Sequence, residues 1–307
     1  VLVSEVGAPK QGLMNIGEEA KPPFAVLPDP GALFLGRSKR LVALTFGHDL
    51  APYLTFLSGL TRAQHEVAQA LPLASLPPPE RIQQALAHGM PPISRAGFDP
   101  DEVAQFTIDR LLERLEEMSV PAEAAAAIQA VRAASLEKRR GMIAAALEDV
   151  APADQLAQRA LVAAGLQVHF TRLAAMLVAD DLKPIADGVC PACGSAPMTS
   201  SVVGWPKAHN TRFCSCSLCG TMWNVVRIKC VLCSTTGGIG YHSIEGKPDT
   251  VKAETCDSCH AYVKILYQVD DAALDPLADD VASLGLDMLM AEAGWRRGGR
   301  NPFLLGY

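Results

Sequence analysis

Apolar positions in the first half of the chain recur at steps of three and four, the period of helices that each turn one face to a core. The clearest run is Ala104, Ile108, Leu111, Leu115 and Met118. It follows Asp99-Pro100-Asp101-Glu102, where Asp99 can cap, Pro100 suits the first helical position and Glu102 supplies the carboxylate of a capping box. The same reading predicts helices over 32–46, over 49–71 with Asp49 as N-cap and Pro52 in the first turn, and over 80–87 between two proline breaks. Pro121 opens an alanine-rich helix to about 135, a further helix covers 136–148, and Pro152 opens the last one to about 179, with Gly165 as the place where it would bend. No two-residue period interrupts this half. Residues 1–30, with Gly7-Ala8-Pro9-Lys10, Lys21-Pro22-Pro23 and Pro28-Asp29-Pro30, read as an extended arm laid over the body or left mobile.

After residue 186 the pattern changes. Segments 222–228 and 261–269 are rich in β-branched and aromatic residues, and in the second Ala261, Val263, Ile265, Tyr267 and Val269 alternate with Tyr262, Lys264, Leu266 and Gln268. These are short strands. A helix returns beyond 270, with Asp275 as cap, Pro276 in first position and Leu277, Val281, Leu284, Met288 and Ala291 as its apolar stripe. The tail 295–307, with Arg296, Arg297 and Arg300 among glycines, reads as an ordered arm or a partner contact. The expected architecture is multi-domain α+β: an arm (1–30), an all-helical domain (31–186), two small metal ribbons in tandem (187–228 and 229–270), and a C-terminal helix and tail (271–307).

The ribbons are inferred from cysteine spacing. All nine cysteines lie between 190 and 259, and eight form Cys-x-x-Cys pairs: Cys190/Cys193, Cys216/Cys219, Cys230/Cys233 and Cys256/Cys259. Adding 40 to each number of the first two pairs gives the last two, an internal repeat with four thiols per copy. Two tight turns, each aiming two sulfurs at one point, complete a tetrahedral four-thiolate site. The repeat assigns Cys190, Cys193, Cys216 and Cys219 to one ion and Cys230, Cys233, Cys256 and Cys259 to another. The alternative couples the middle pairs, with ten residues between Cys219 and Cys230, and leaves the outer pairs to meet. Gly194 and Gly220 follow the first site's pairs, whereas Ser234 and His260 follow the second's, so the second site's turns are expected to differ. His260 or His242 could stand in for one thiolate there. Four sulfurs accept either zinc or iron, and they fill the coordination shell, leaving no open position for a substrate. Cys214 falls outside the repeat and reads as a small buried apolar residue rather than a reactive thiol.

Composition narrows the function. The net charge is −6, but the cysteine region 190–267 carries seven Lys/Arg against four acids, so the rest of the chain holds −9. Two four-thiolate sites on divalent ions would cancel that local excess, and no basic cluster marks a nucleic-acid surface. A cysteine-free first half is unlike a secreted disulfide scaffold, and no basic segment with an apolar core opens the chain, so a reducing cytoplasm is the expected compartment. No apolar run approaches the length of a membrane span. In the helical half, His65 and His169 have no ligand-type neighbours at useful spacing, and Glu137-Lys138-Arg139-Arg140 reads as a solvated face. Arg37, Lys39 and Arg40 read the same way, with a docking patch as the sharper alternative.

Longer strings carry a family resemblance. Cys190-Pro-Ala-Cys193-Gly-Ser195, Cys216-Ser-Leu-Cys219 with Trp223 and Val226-Arg227-Ile228-Lys229-Cys230, Glu254-Thr-Cys256-Asp-Ser-Cys259 with Tyr262-Val263-Lys264-Ile265-Leu266-Tyr267, Ala278-Asp279-Asp280 and Asn301-Pro302-Phe303 resemble the formate dehydrogenase accessory protein FdhE family. The resemblance covers roughly 190–307, and the helical half shares only its pattern. It implies a cytoplasmic assembly factor, not an enzyme, that acts on the catalytic subunit of a respiratory formate dehydrogenase exported by the twin-arginine route. It also implies rubredoxin-like sites built from the four pairs, with iron favoured over zinc. The competing readings are a nucleic-acid-binding zinc ribbon and a small iron or thiol redox carrier.

Overall fold

The structure is a computed structural model and describes residues 2–5, 22–148 and 155–304. Among the described residues seven α-helices form the first part: α1 Pro30–Leu44, α2 Ala51–Ala70, α3 Pro79–Ala87, α4 Glu102–Glu116, α5 Ala122–Arg132, α6 Leu136–Leu147 and α7 Leu156–Ala174. The helix α7 is the centre, because every residue from Ala160 to Ala174 is buried. It packs against α1, α2, α4, α5 and α6, and a helix covered all round needs no polar face. Gly165 does not bend it. A Cβ there would lie 2.7 Å from Ile108 Cγ1 and 3.0 Å from Ile108 Cα, so the glycine lets α4 and α7 approach closely.

Two caps differ from the sequence reading. Asp101, not Asp99, caps α4, accepting from the Ala104 N–H at 2.7 Å. The apolar stripe is buried under either start, so it cannot choose between two aspartates. The helix α2 begins at Ala51 with no side-chain cap; His48 Nδ1 takes the Leu50 N–H and displaces Asp49 from that role. The proposed start at Pro152 lies outside the described residues, as do Gly7-Ala8-Pro9-Lys10 and Lys21 of the arm.

His169, in the C-terminal third of α7, is 3% exposed and packs against the rings of Phe98 and Phe170. Burial pushes its pKa down to about 4. The unfolded chain therefore takes up this proton first, and the stability present above the ordinary histidine pKa is lost as pH falls through it toward 4. The loss reaches about 3 kcal/mol. Comparing thermal midpoints of the wild type and His169→Leu from pH 7 to 4 should show the gap between them narrowing or reversing on acidification.

The second part is one nine-stranded sheet. Its strands are β1 Leu2–Glu5, β2 Ala25–Val26, β3 Pro197–Val203, β4 Thr211–Cys216, β5 Met222–Val225, β6 Ile239–Ile244, β7 Val251–Cys256, β8 Ala261–Tyr267 and β9 Arg296–Arg297. The order is β1-β6-β7-β8-β3-β4-β5-β2, with β9 beside β8. Each 40-residue copy is an antiparallel meander, β3-β4-β5 or β6-β7-β8. The copies are not separate lobes, because β3 and β8 pair in parallel through Ser200↔Ile265, Ser201↔Leu266 and Val202↔Tyr267. The strand β8 is buried along Ala261–Leu266, which a two-residue alternation could not reveal. The two ends of this tandem would be open edges, and two N-terminal strands cover them, β1 on β6 and β2 on β5. Residues 2–5 and 25–26 of the arm are thus part of the sheet, and strand structure does enter the N-terminal segment.

The expected C-terminal helix is two short ones, α8 Ala278–Ala282 and α9 Leu284–Glu292. The N-cap position of α8 falls on Leu277, without a side-chain cap, rather than on the expected Asp275; Asp275 still accepts from the N–H groups of Leu277 and Ala278 where the helix starts. The break at Ser283 follows from Lys264, whose ammonium donates to the carbonyls of Asp280 and Ser283 and to Ser283 Oγ. The buried set beyond the break shifts to Leu286, Asp287 and Met290, leaving Met288 and Ala291 exposed. Arg37 pairs with Asp275 at 3.3 Å, and Arg40 with Asp279 at 2.7 Å and Asp271 at 3.4 Å. These two arginines are therefore not a solvated face. They clamp α1 to the C-terminal segment, while Lys39 remains exposed.

Candidate metal centres

The repeat brings its sulfurs together as the spacing predicted. In each copy the first pair precedes the first strand, and the second pair turns between the second and third strands. Cys190 and Cys219 Sγ are 3.6 Å apart, and Cys193 and Cys216 Sγ 3.4 Å; the corresponding distances in the second cluster are 3.7 Å for Cys230–Cys259 and 3.6 Å for Cys233–Cys256. Within each cluster every sulfur lies within 4.8 Å of the others. A tetrahedron with metal–sulfur bonds of a zinc-like length has edges of about 3.8 Å. Both clusters could hold one ion. The pairing of middle with middle is excluded, and neither His242 nor His260 belongs to a cluster: His242 Nε2 contacts Thr255 Oγ1, and His260 stacks on Trp295 at 4.6 Å.

Backbone geometry at the turns is the same in all four, which corrects the expectation for the second site. Gly194 N and Ser234 N each donate to the carbonyl of the first cysteine of their pair, and Cys190 N and Cys230 N take the carbonyls of Ser195 and Thr235. All four residues after the pairs have positive φ: Gly194 79°, Gly220 74°, Ser234 68° and His260 52°. The second site reaches this conformation with side chains that disfavour it. Replacing Ser234 with Gly should raise stability by up to about 1 kcal/mol, whereas Gly220→Ala should lower it by about 1–2 kcal/mol, since its Cβ would also press on Leu33 Cδ2 at 2.8 Å. Denaturant midpoints measured with metal bound check both signs.

The surroundings of the two clusters differ. All four sulfur-bearing residues of the first are buried, at 0–3% exposure. The loop between α3 and α4 clamps its first turn through Ile93 N to Ala192 O and Arg95 N to Cys193 O. Gln64 Nε2 donates to Gln167 Oε1, and Gln167 Nε2 to Ser217 O, which runs a hydrogen-bond path from α2 through α7 to the other turn. Ser195 and Thr221 hydroxyls lie 3.2 Å from Cys193 and Cys219 Sγ, placed to donate once those sulfurs are thiolates. At the second cluster Cys230 and Cys256 are buried, but Cys233 is exposed and Cys259 partly so. Thr235 stands at the position equivalent to Ser195 and Ala261 at that of Thr221, so one hydroxyl is missing.

Two buried polar networks frame the centres, and the sequence flagged neither. Arg212 on β4, wholly buried, reaches Glu254 on β7 at 2.8 Å and also contacts Ser200 Oγ and the carbonyls of Arg227 and Lys229. It joins one copy of the repeat to the other. Lys264 pairs with Asp280 at 3.2 Å and Asp287 at 2.6 Å; Arg297 pairs with both acids, Tyr262 donates to Asp287 and Asn301 to Asp280. A lysine inside an apolar strand was the available signal. Cys214 is buried among core residues beside this sheet's centre, and burial pushes its thiol up to about 12, in keeping with an inert side chain.

The comparisons with known proteins agree along the whole chain. The family model "FdhE, N-terminal" matches residues 22–187, "FdhE, central domain" 189–227 and "FdhE, C-terminal domain" 228–304. The chain belongs to the FdhE family. A relative named Protein FdhE homolog from Rhizobium meliloti (strain 1021) is 45% identical over 294 residues, covering 95% of this chain and 96% of that one. Protein FdhE of Escherichia coli (strain K12) is 33% identical over 275 residues, covering 89% and 88%. The crystal structure of the FdhE protein from Pseudomonas aeruginosa superposes with a TM-score of 0.82 at 34% identity, covering 93% of this chain and 99% of that chain. In this member of the family a helical region is followed by a sheet region with two four-cysteine clusters. No described helix is long and apolar enough to cross a membrane.

Proposed function

We propose that this FdhE-family chain is a cytoplasmic assembly factor that binds the catalytic subunit of a respiratory formate dehydrogenase before its twin-arginine export. In this reading Cys190, Cys193, Cys216 and Cys219 hold one mononuclear ion and Cys230, Cys233, Cys256 and Cys259 the other, with iron as the working metal. The observation that carries it is the closure of both clusters. Four thiolates around each ion leave no position for a substrate, so the metals hold and shape a surface while the redox chemistry belongs to the partner. Iron would add a reversible one-electron couple to that surface; zinc would not.

The test is co-purification with the formate dehydrogenase catalytic subunit under reducing, oxygen-free conditions. Retention of the subunit supports the reading, and its absence from the eluate overturns it. The nucleic-acid alternative is disfavoured by charge placement. Arg212, Lys229, Lys252 and Lys264, four of the seven cations of the cysteine region, are engaged with Glu254, Asp187, Asp249 and the Asp280/Asp287 pair.

A further inference from the structure

We infer that the two metal positions have different exchange behaviour: the first cluster holds its ion for the life of the fold, and the second gives up and takes up its ion by exchange with ligands from solution. This rests on the metal-binding part of the reading above, not on its partner. Exchange at a closed four-thiolate site needs an incoming ligand to reach the ion as a protein sulfur leaves. At the first cluster no route exists, since Cys190, Cys193 and Cys219 are fully covered and Cys216 is 3% exposed. Its turns are also tied by the backbone of Ile93 and Arg95 and by Gln167, so opening it means separating the helical region from the sheet. At the second cluster the inner side is packed. A Cβ at Gly188 would strike Val231 O at 2.3 Å, and Leu232 lies against Gly298. The outer side is open at Cys233 and partly open at Cys259.

Two further features favour departure there. Ser234 and His260 hold positive φ without being glycine, so relaxing either turn relieves backbone strain. Of the two hydroxyls beside the first cluster's sulfurs, only that of Ser195 has a hydroxyl residue, Thr235, at the equivalent position. Cys233 is where exchange would start: an incoming ligand would bond to the ion as the Cys233 sulfur–metal bond broke, and the freed thiolate would stay in water or take a proton from it. Repetition at Cys259, Cys256 and Cys230 transfers the ion to the incoming ligands with no change of oxidation state. The second position can therefore pass an ion to, or receive one from, a partner bearing a soft dithiol site, while the first keeps the fold intact.

The experiment uses the full chain loaded with zinc and challenged with excess 4-(2-pyridylazo)resorcinol, whose colour reports released metal. One equivalent should leave at least roughly tenfold faster than the other, because local opening is easier than separation of the two regions. Quenching at the end of the fast phase with iodoacetamide, followed by peptide mapping, should find label on Cys230, Cys233, Cys256 and Cys259 and none on Cys190, Cys193, Cys216 and Cys219. Release of both ions in one phase, or label on the first set, overturns the inference while leaving metal binding standing. A starting content below two ions overturns the metal reading and the inference with it.

Discussion

Cys193→Ser is expected to lose the first ion and, with it, about 4 kcal/mol or more of stability. The thermal midpoint should fall by about 10 °C or more. The size follows from position: Cys193 sits where the helical region meets the sheet, with Arg95 N on its carbonyl and Cys216 Sγ at 3.4 Å. A serine hydroxyl is a poor soft-metal ligand, and without the ion three buried sulfurs lose their common partner. The matched variant Cys233→Ser removes an exposed ligand of the second cluster. It should lose one ion too, yet cost only about 1–2 kcal/mol, since little packing depends on that side. Calorimetry on both variants, with metal content measured alongside, separates these outcomes. Equal losses would show that the first cluster is no more structural than the second.

Asp280→Ala should destabilise the chain by about 3–5 kcal/mol, because it leaves the buried Lys264 ammonium and Arg297 guanidinium facing one carboxylate. Lys264 and Asp280 side chains have no exposed surface, and Arg297 is 9% exposed. Burial works against the Asp280 carboxylate, but Arg297 and Lys264 beside it hold it below the usual carboxylate range. The damage should be directional, freeing α8, α9 and the tail from β8, since this network is the junction of those elements. Hydrogen exchange should show lost protection in 278–292 before the helical core responds. In a double-mutant cycle, Lys264→Met with Asp280→Ala should cost clearly less than the sum of the single changes. Strict additivity, or a single-variant cost below about 1 kcal/mol, would contradict the account.

The cysteine spacing alone carried the division of eight cysteines into two four-sulfur clusters, because a repeat offset is a strong geometric statement. Helices were legible wherever one face was apolar, as in α4, and their ends were not. Asp99 against Asp101 and Asp49 against His48 are choices among equally competent local partners, decided by tertiary fit. The single sheet was illegible for a different reason. A parallel pairing between β3 and β8 joins segments about 65 residues apart and leaves no mark in either strand's own alternation. The break at Ser283 was hidden likewise, since it depends on a lysine from β8 competing for helix carbonyls. Arg37 and Arg40 looked like surface charge because their acids, Asp275 and Asp279, lie more than 230 residues away. The turn after the fourth cysteine pair is the reverse case: His260 in place of glycine suggests a different shape, yet the backbone is the same and the difference is strain.

The central claim is that eight cysteines form two closed mononuclear sites. Native mass spectrometry of the chain purified without oxygen tests it most directly, because it counts metal and any inorganic sulfide on the intact fold. Two metal ions per chain and no sulfide is the predicted mass. A single ion, or a mass containing bridging sulfide, would contradict the account.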